Sequence, residues 1–284
     1  MISAQCYHCE KDEADLFDKE NGYNLVRCRI CGLLFVSPRP DDATRSEAIR
    51  TGFHSGEKQL DVNARGDEVK RTQYHRVLQN LFTDHEITEL RKTLDVGCGY
   101  GEFIAELKEF SPSAIQIAGF EPNEIKRNVA LQNGHDVRPS MSHFGDTKFD
   151  LISLLNVFSH LSNPREDFRN YRKILQPNGL ILIQTGDAAG LEPKAMPKPY
   201  FLPDHLSFAS EIIIKNILEQ EGFKVLKVYR YPAIHFTWWQ LAKEIIKTLL
   251  PRKKSNLIAL LNHRKYAHRD MYILARKWDT SPAP

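Results

Sequence analysis

Four of the five cysteines fall in the first 31 residues, as Cys6-Tyr7-His8-Cys9 and Cys28-Arg29-Ile30-Cys31, with eighteen residues between the pairs. Two residues between thiols let both sulfurs reach one ion from a tight knuckle, and Gly32 permits the turn after the second pair. Four thiolates close a tetrahedral Zn²⁺ shell with no open position, so the chemistry expected of Cys6, Cys9, Cys28 and Cys31 is structural metal binding. A redox pair would explain one such motif but not two, and no export signal favours disulfides. His8 reads as a bystander between ligands. The stretch Leu16–Val26 reads as a short polar hairpin, too small to bury a core without the metal.

A second set of residues suits a nucleoside-bearing cation. In Leu94-Asp95-Val96-Gly97-Cys98-Gly99-Tyr100-Gly101 a strand runs into a glycine-rich turn and then a helix. Glycines there allow close backbone approach to a ligand. The spacing is G-x-G-x-G rather than the G-x-G-x-x-G of a pyrophosphate cradle. Asp95 is poorly placed for a phosphate and well placed for an aminoacyl cation. Glu121, twenty residues past Gly101, can accept hydrogen bonds from both hydroxyls of a ribose.

Two histidines follow the carboxyl ends of expected central strands, where open α/β sheets bind ligands. His160 lies in Asn156-Val157-Phe158-Ser159-His160 and His205 in Pro203-Asp204-His205-Leu206-Ser207. Each is a candidate general base for a hydroxyl acceptor; the alternative is a loop histidine capping the helix beyond.

The elements that must position these groups alternate from residue 92 onward. Strands are expected at Lys92–Gly97, Ile115–Glu121, Asp136–Arg138, Asp150–Val157, Gly179–Thr185, Lys224–Tyr231 and Met271–Lys277. Helices are expected at Phe103–Glu109, Asn123–Asn133, Pro164–Leu175 and Ser210–Glu221. Such alternation predicts an α/β fold, a Rossmann-like doubly wound sheet of seven strands, with a small N-terminal zinc ribbon. The expected division is residues 1–40 as ribbon, 41–90 as a helical connector or lid, and 91–284 as the sheet domain. Asp41 or Asp42 is the expected N-cap of the connector, and Val69, Tyr74, Val77, Leu78 and Leu81 give it an apolar stripe.

With these motifs in order, the sequence resembles the class I S-adenosylmethionine-dependent methyltransferases over about residues 90–280. Phe149–Leu161 and Leu175-Gln176-Pro177-Asn178-Gly179 also carry the resemblance. It implies that Gly97, Gly99 and Gly101 pass the methionine portion of the cofactor, with Cys98 a small loop residue. It implies that Asp95 holds the amino group, Glu121 the ribose, and that Ser140 and Met141 lie near the adenine. Asn156 counts with the cofactor-binding residues. The fourth-strand segment looks like that of ubiquinone-biosynthesis O-methyltransferases. The ribbon joined to this domain looks like two groups, bacterial methyltransferases of sugars and other polar secondary metabolites and a ribosomal-RNA guanine methyltransferase group, and Ser37–Pro40 and Asp204–Ser210 look more like the former. A small-molecule or glycan hydroxyl is therefore the expected acceptor. The alternatives are RNA gripped by the ribbon, or a quinone or lipid-linked acceptor.

Composition bounds the rest. The 284 residues are 42% hydrophobic and 26% charged with a net charge of +3, which excludes disordered and fibrous classes. From Leu241 onward ten Lys/Arg face three Asp/Glu, leaving 29 against 33 before it. A general nucleic-acid coat is disfavoured. Residues 233–268 read as an insertion holding an amphipathic helix, with Trp238, Leu241, Ala242, Ile245, Ile246 and Leu249 on one side. It either walls the acceptor pocket or, over residues 236–254, meets a membrane surface. The expected location is cytoplasmic, or peripheral at the inner membrane face.

Overall fold

The computed structural model describes residues 1–54, 58–59, 68–112, 114–231, 242–243, 245–246 and 270–278. Strands β1 (Ala14–Glu20) and β2 (Tyr23–Cys28) form the expected hairpin. Its two-residue loop, Asn21-Gly22, holds both φ angles positive, which matches the twist of the paired strands. β3 (Leu34–Val36) pairs with β2 after Gly32 turns the chain at φ +78°.

The connector is interrupted rather than continuous. Helix α1 (Asp42–Thr51) is capped by Asp41, whose carboxylate accepts from Thr44 N at 2.8 Å, and it stops at Gly52 in the left-handed region. Strands β4 (Phe53–His54) and β5 (Lys58–Gln59) pair with each other before α2 (Glu68–Leu81). A capping box of Thr83 and Glu86 then starts the separate α3 (Asp84–Glu89). Tyr74, Val77, Leu78 and Leu81 are buried; the side chain of Val69 lies outside the described residues.

From there strands and helices alternate. They are β6 (Lys92–Val96), α4 (Glu102–Phe110), β7 (Gln116–Phe120), α5 (Glu124–Gln132) and β8 (Asp136–Arg138). A short 3₁₀ turn, Met141–Phe144, leads to β9 (Phe149–Leu155), and a second, Phe158–His160, to α6 (Pro164–Ile174). β10 (Leu175–Gly186), β11 (Ser207–Phe208), α7 (Glu211–Gln220), β12 (Phe223–Arg230) and β13 (Asp270–Lys277) follow. β10 starts earlier than expected because Leu175 already pairs with Phe149; the ladder then slips and resumes at Leu180.

Seven strands form one mixed sheet in the order β12-β13-β10-β9-β6-β7-β8. β13 alone runs against its neighbours. Chain order reverses between β6 and β9, so the crevice at their carboxyl ends is the topological switch point where α/β sheets bind ligands. Leu94, Leu151, Ile152, Leu154, Ile181 and Ile183 are fully buried, as strands covered on both faces require.

The ribbon is fused to this domain. β11 completes a four-stranded sheet, β1-β2-β3-β11, across the two regions. Cys6, Cys28, Leu33 and Phe35 share one core with Phe158, Ala209 and Ile213. The amphipathic insertion expected at 233–268 lies outside the described residues, apart from Ala242, Lys243, Ile245 and Ile246, which are helical.

Candidate active site

The glycine turn is forced by its neighbours. Gly97 sits at φ +66°, and a Cβ there would meet Val157 Cγ2 at 2.5 Å. Gly101 sits at φ +89°, and a Cβ would meet the His135 ring at 2.3 Å. Gly99, at φ +57°, is open: its nearest neighbour in that direction is Glu102 Oε2 at 3.7 Å. Helix α4 begins at Gly101 with no side-chain cap, leaving its amino-terminal N–H groups to a ligand. Behind the turn, Cys98 is buried against Gly119, where a Cβ would come within 2.6 Å of its sulfur. Burial pushes the Cys98 thiol well above its ordinary range. Its side chain packs the loop against β7.

Two buried carboxylates face the turn. Asp95 is 3% exposed and accepts a 2.6 Å hydrogen bond from Ser153 Oγ. Burial pushes its pKa up to about 7 against that bond, with nearby Glu102 and Glu121 adding to the rise. Glu121 is also raised by burial; it accepts from Gly99 N at 2.8 Å and Asn123 N at 2.9 Å. Lys126 and Arg127 offset part of the rise at Glu121, but Asp95 is buried with Ser153 holding its charged form, so its carboxylate favours a positively charged ligand. This donor set, with the open Gly99, fits S-adenosylmethionine.

A cavity of about 240 Å³ opens between these groups. Asp95, Gly97, Cys98, Gly99, Glu121, Asn156 and His160 all line it. Asn156 adopts φ +60° at the end of β9, its N–H held by Gln184 O at 3.1 Å. Gly101, Ser140, Met141 and His205 are not among the lining residues. Ser140 caps its 3₁₀ turn, and Met141 packs against the core. Sequence reasoning missed Lys70 and Tyr74, which α2 brings to the cavity wall, with Lys70 3.1 Å from Glu102. Tyr74 carried a signal, but as one residue of an apolar stripe it read only as core.

The histidines are brought together and then distinguished. Their rings meet edge to face, with centroids 4.7 Å apart. His160 Nδ1 is 2.9 Å from the Asp204 carbonyl and 3.4 Å from Asp204 Oδ1. A ring nitrogen facing a carbonyl must donate, so the neutral imidazole keeps its lone pair at Nε2. Arg45 holds the His160 carbonyl at 2.5 Å and Arg39 that of Ser162 at 3.1 Å. His205 is wedged between Phe201 and Phe208, and burial lowers its pKa to about 4, with His160 adding to the fall.

The four cysteines converge. Their sulfurs all lie within 4.8 Å of one another, with 3.4 Å between Cys6 and Cys31, 3.4 Å between Cys9 and Cys28, and 3.6 Å between Cys6 and Cys9. Disulfide sulfurs would be about 2.05 Å apart. Sulfurs ~2.3 Å from one Zn²⁺ would stand roughly 3.8 Å apart on a tetrahedron. The cluster could therefore bind zinc. The Cys6–Cys31 hydrogen bond lowers the Cys6 thiol to about 5 and raises that of Cys31, as expected where packed thiols cannot all ionise without a cation. His8 stands outside the cluster.

The ribbon also grips the segment that carries Asp204 and His205. Glu20 accepts from Tyr200 N and Leu202 N at 2.8 and 3.0 Å, and Asn21 donates to Leu202 O at 2.9 Å. On the far side Val36 N donates to Leu206 O at 2.9 Å, and Tyr7 meets Ser207 through their hydroxyls at 2.9 Å.

Residues 67–228, more than half of the chain, match the model of a family described as methyltransferase domain. A tRNA U34 carboxymethyltransferase of Campylobacter curvus is 28% identical over 146 residues, covering 44% of this chain and 47% of that protein. A ubiquinone biosynthesis O-methyltransferase of Haemophilus ducreyi is 26% identical over 106 residues, covering 34% of this chain and 45% of that protein. The chain thus spans about half the length of the curated relatives it matches. Among solved structures, an S-adenosylmethionine-dependent methyltransferase from Archaeoglobus fulgidus shares the fold. Its TM-score is 0.51 at 21% identity, covering 73% of this chain and 94% of that one. No helix among the described residues is long and apolar enough to cross a membrane.

Proposed function

The chain belongs to the methyltransferase-domain family, and from that premise we propose that its acceptor is a hydroxyl of a small-molecule or glycan-type metabolite. S-adenosylmethionine is the methyl donor; when bound it supplies an electrophilic methyl group on a sulfonium. The observation that carries the reading is that His160 lines the same cavity as Asp95, Gly97, Gly99 and Glu121, with Nδ1 committed to the Asp204 carbonyl. In this reading Asp95 holds the cofactor's amino group and Glu121 its ribose, while Gly97 and Gly99 let the methionine portion pass close to the backbone. The acceptor hydroxyl docks at His160 and gives up its proton in the cluster of His160, Asp204 and His205. Held by Asp95, Glu121 and the backbone of Gly97 and Gly99, S-adenosylmethionine would supply its methyl group to the acceptor oxygen positioned at His160. Alignment and exclusion of water supply most of the acceleration. Cys6, Cys9, Cys28 and Cys31 hold a structural Zn²⁺ that keeps the ribbon folded.

Changing both His160 and His205 to Gln should slow methyl transfer at least about tenfold while leaving cofactor affinity intact; unchanged turnover ends this assignment. The acceptor class is found by incubating the protein with methyl-labelled S-adenosylmethionine and cell extract split into RNA, aqueous and lipid fractions. Label in the aqueous fraction is expected. The relatives described as tRNA U34 carboxymethyltransferases support a second reading, in which the acceptor is RNA. RNase-sensitive label, with binding that weakens steeply as salt rises, would establish it.

A further inference from the structure

We propose that His160, Asp204 and His205 form a site for a divalent first-row cation at the edge of the methyl-donor cavity. Two imidazoles and a carboxylate each offer one donor atom, all within 4.8 Å of one another. One pair, His160 Nδ1 and Asp204 Oδ1, is already at 3.4 Å. Ligands ~2.1 Å from a shared ion stand roughly 3.0–3.5 Å apart, so closing the set takes a side-chain adjustment of about 1 Å. A mixed nitrogen and oxygen set of this kind suits Mn²⁺, Fe²⁺, Co²⁺ or Zn²⁺ and differs from the all-sulfur ribbon.

A second observation points the same way. His205 Nδ1 is buried and makes no well-formed hydrogen bond among the described residues, although the ring lies close enough to the Tyr200 carbonyl to feel it. A buried ring nitrogen without a partner is costly, and coordination would satisfy it. Asp204 and His205 are consecutive residues of one turn, both N–H groups bonded to the Phe201 carbonyl at 2.8 and 3.1 Å. The ribbon clamps that turn from both sides, so these two donors are fixed before any ion arrives. His160 must exchange its bond to the Asp204 carbonyl for the ion.

Three protein ligands leave coordination positions open, as in catalytic rather than structural sites. The inference rests on the hydroxyl-acceptor reading. With both imidazoles occupied as ligands they no longer take the proton, and an acceptor oxygen that touches the ion gives it up to water instead, as zinc-bound water does. His160 reaches the donor cavity, so such an oxygen would face the methyl group.

The test uses the full chain with its cysteines loaded with zinc, titrated with Co²⁺ and followed by visible absorption. One further equivalent of Co²⁺ is expected, with d–d bands and no thiolate charge-transfer band. Asp204→Asn and His205→Gln should each weaken that uptake at least about tenfold, with zinc content and S-adenosylmethionine binding unchanged. No Co²⁺ uptake by the wild-type chain overturns the site, and so does equal uptake by both variants. Mn²⁺ added to the unmodified protein gives an independent reading. Selective broadening of the His160 and His205 ring resonances supports the site, and unaffected resonances overturn it. The two readings fail separately. If His160→Gln abolishes transfer while no ion binds, the hydroxyl reading stands and the ion site falls. If the ion binds and label appears only in RNA bases, the site stands and the hydroxyl reading falls.

Discussion

The two sides of the cavity are built in opposite ways. The proposed cofactor side comes mainly from one continuous stretch: Asp95 lies one residue before the end of β6, Gly97 to Gly101 make the turn, and Glu121 follows β7 and accepts from Gly99 N. The proposed acceptor side presents His160 to the cavity, behind which stand the turn at Asp204-His205 and the ribbon that holds that turn. The first side is set mainly by residues near one another in sequence. The second is tied to a four-cysteine cluster about 170 residues away in sequence.

The most severe way to break this contrast is to remove the ribbon metal. Cys6→Ser, or a chelator strong enough to strip the cluster, should reduce methyl transfer on the order of a hundredfold, because small misplacements of reacting groups cost that much. Cofactor affinity should stay within about threefold, and hydrogen exchange should rise at 200–208 but not at 95–101. An equal loss of affinity would show that the two sides are not separable.

Gly97→Ala attacks the other side. A left-handed φ and a 2.5 Å contact with Val157 should cost about 1–3 kcal/mol. Cofactor affinity should fall roughly tenfold or more, measured by calorimetry, with zinc retained.

Titration of Asp95 is the gentler probe. Its folded pKa, raised to about 7, lies above the ordinary carboxyl value. Between pH 4 and 7 the native state therefore holds a proton that the unfolded state has lost. This group's contribution to stability falls as pH rises through that window. Asp95→Asn should raise the melting temperature of the cofactor-free protein at pH 8 and abolish tight binding. In the wild type, affinity should drop as pH falls below about 7, approaching tenfold per unit. A pH-independent affinity would mean that the cofactor does not meet the Asp95 carboxylate.

Cys98→Ala should do least. It should cost about 1 kcal/mol in thermal melts, as small core truncations do, and leave turnover unchanged.

Legibility in the sequence followed the same division. The α/β class and the central strands were readable because buried strands such as Asp150–Val157 announce themselves locally. The glycine turn was readable because such a backbone needs short, fixed spacings, and its three glycines indeed stand at positive φ. What escaped depends on contacts between distant residues. β11 is two residues long and has no periodicity to read; only pairing with β3 makes it a strand. Lys70 and Tyr74 reach the cavity because α2 packs on α4, which no stripe in α2 reveals. His160 and His205 looked equivalent in sequence; packing separates a ring at the cavity wall from one wedged between two phenyl rings.

The strand that joins ribbon and domain has a consequence for synthesis. β3 leaves the ribosome 171 residues before its partner at Ser207. At typical elongation rates that interval lasts roughly 10–30 s. Throughout it the outer edge of β3 is an unpaired template, of the kind that recruits strands from other chains. Zinc can close the knuckles during that wait but cannot cover the edge. The nascent ribbon thus exposes a strand edge until Ser207 is made, although its own hairpin can pair at once.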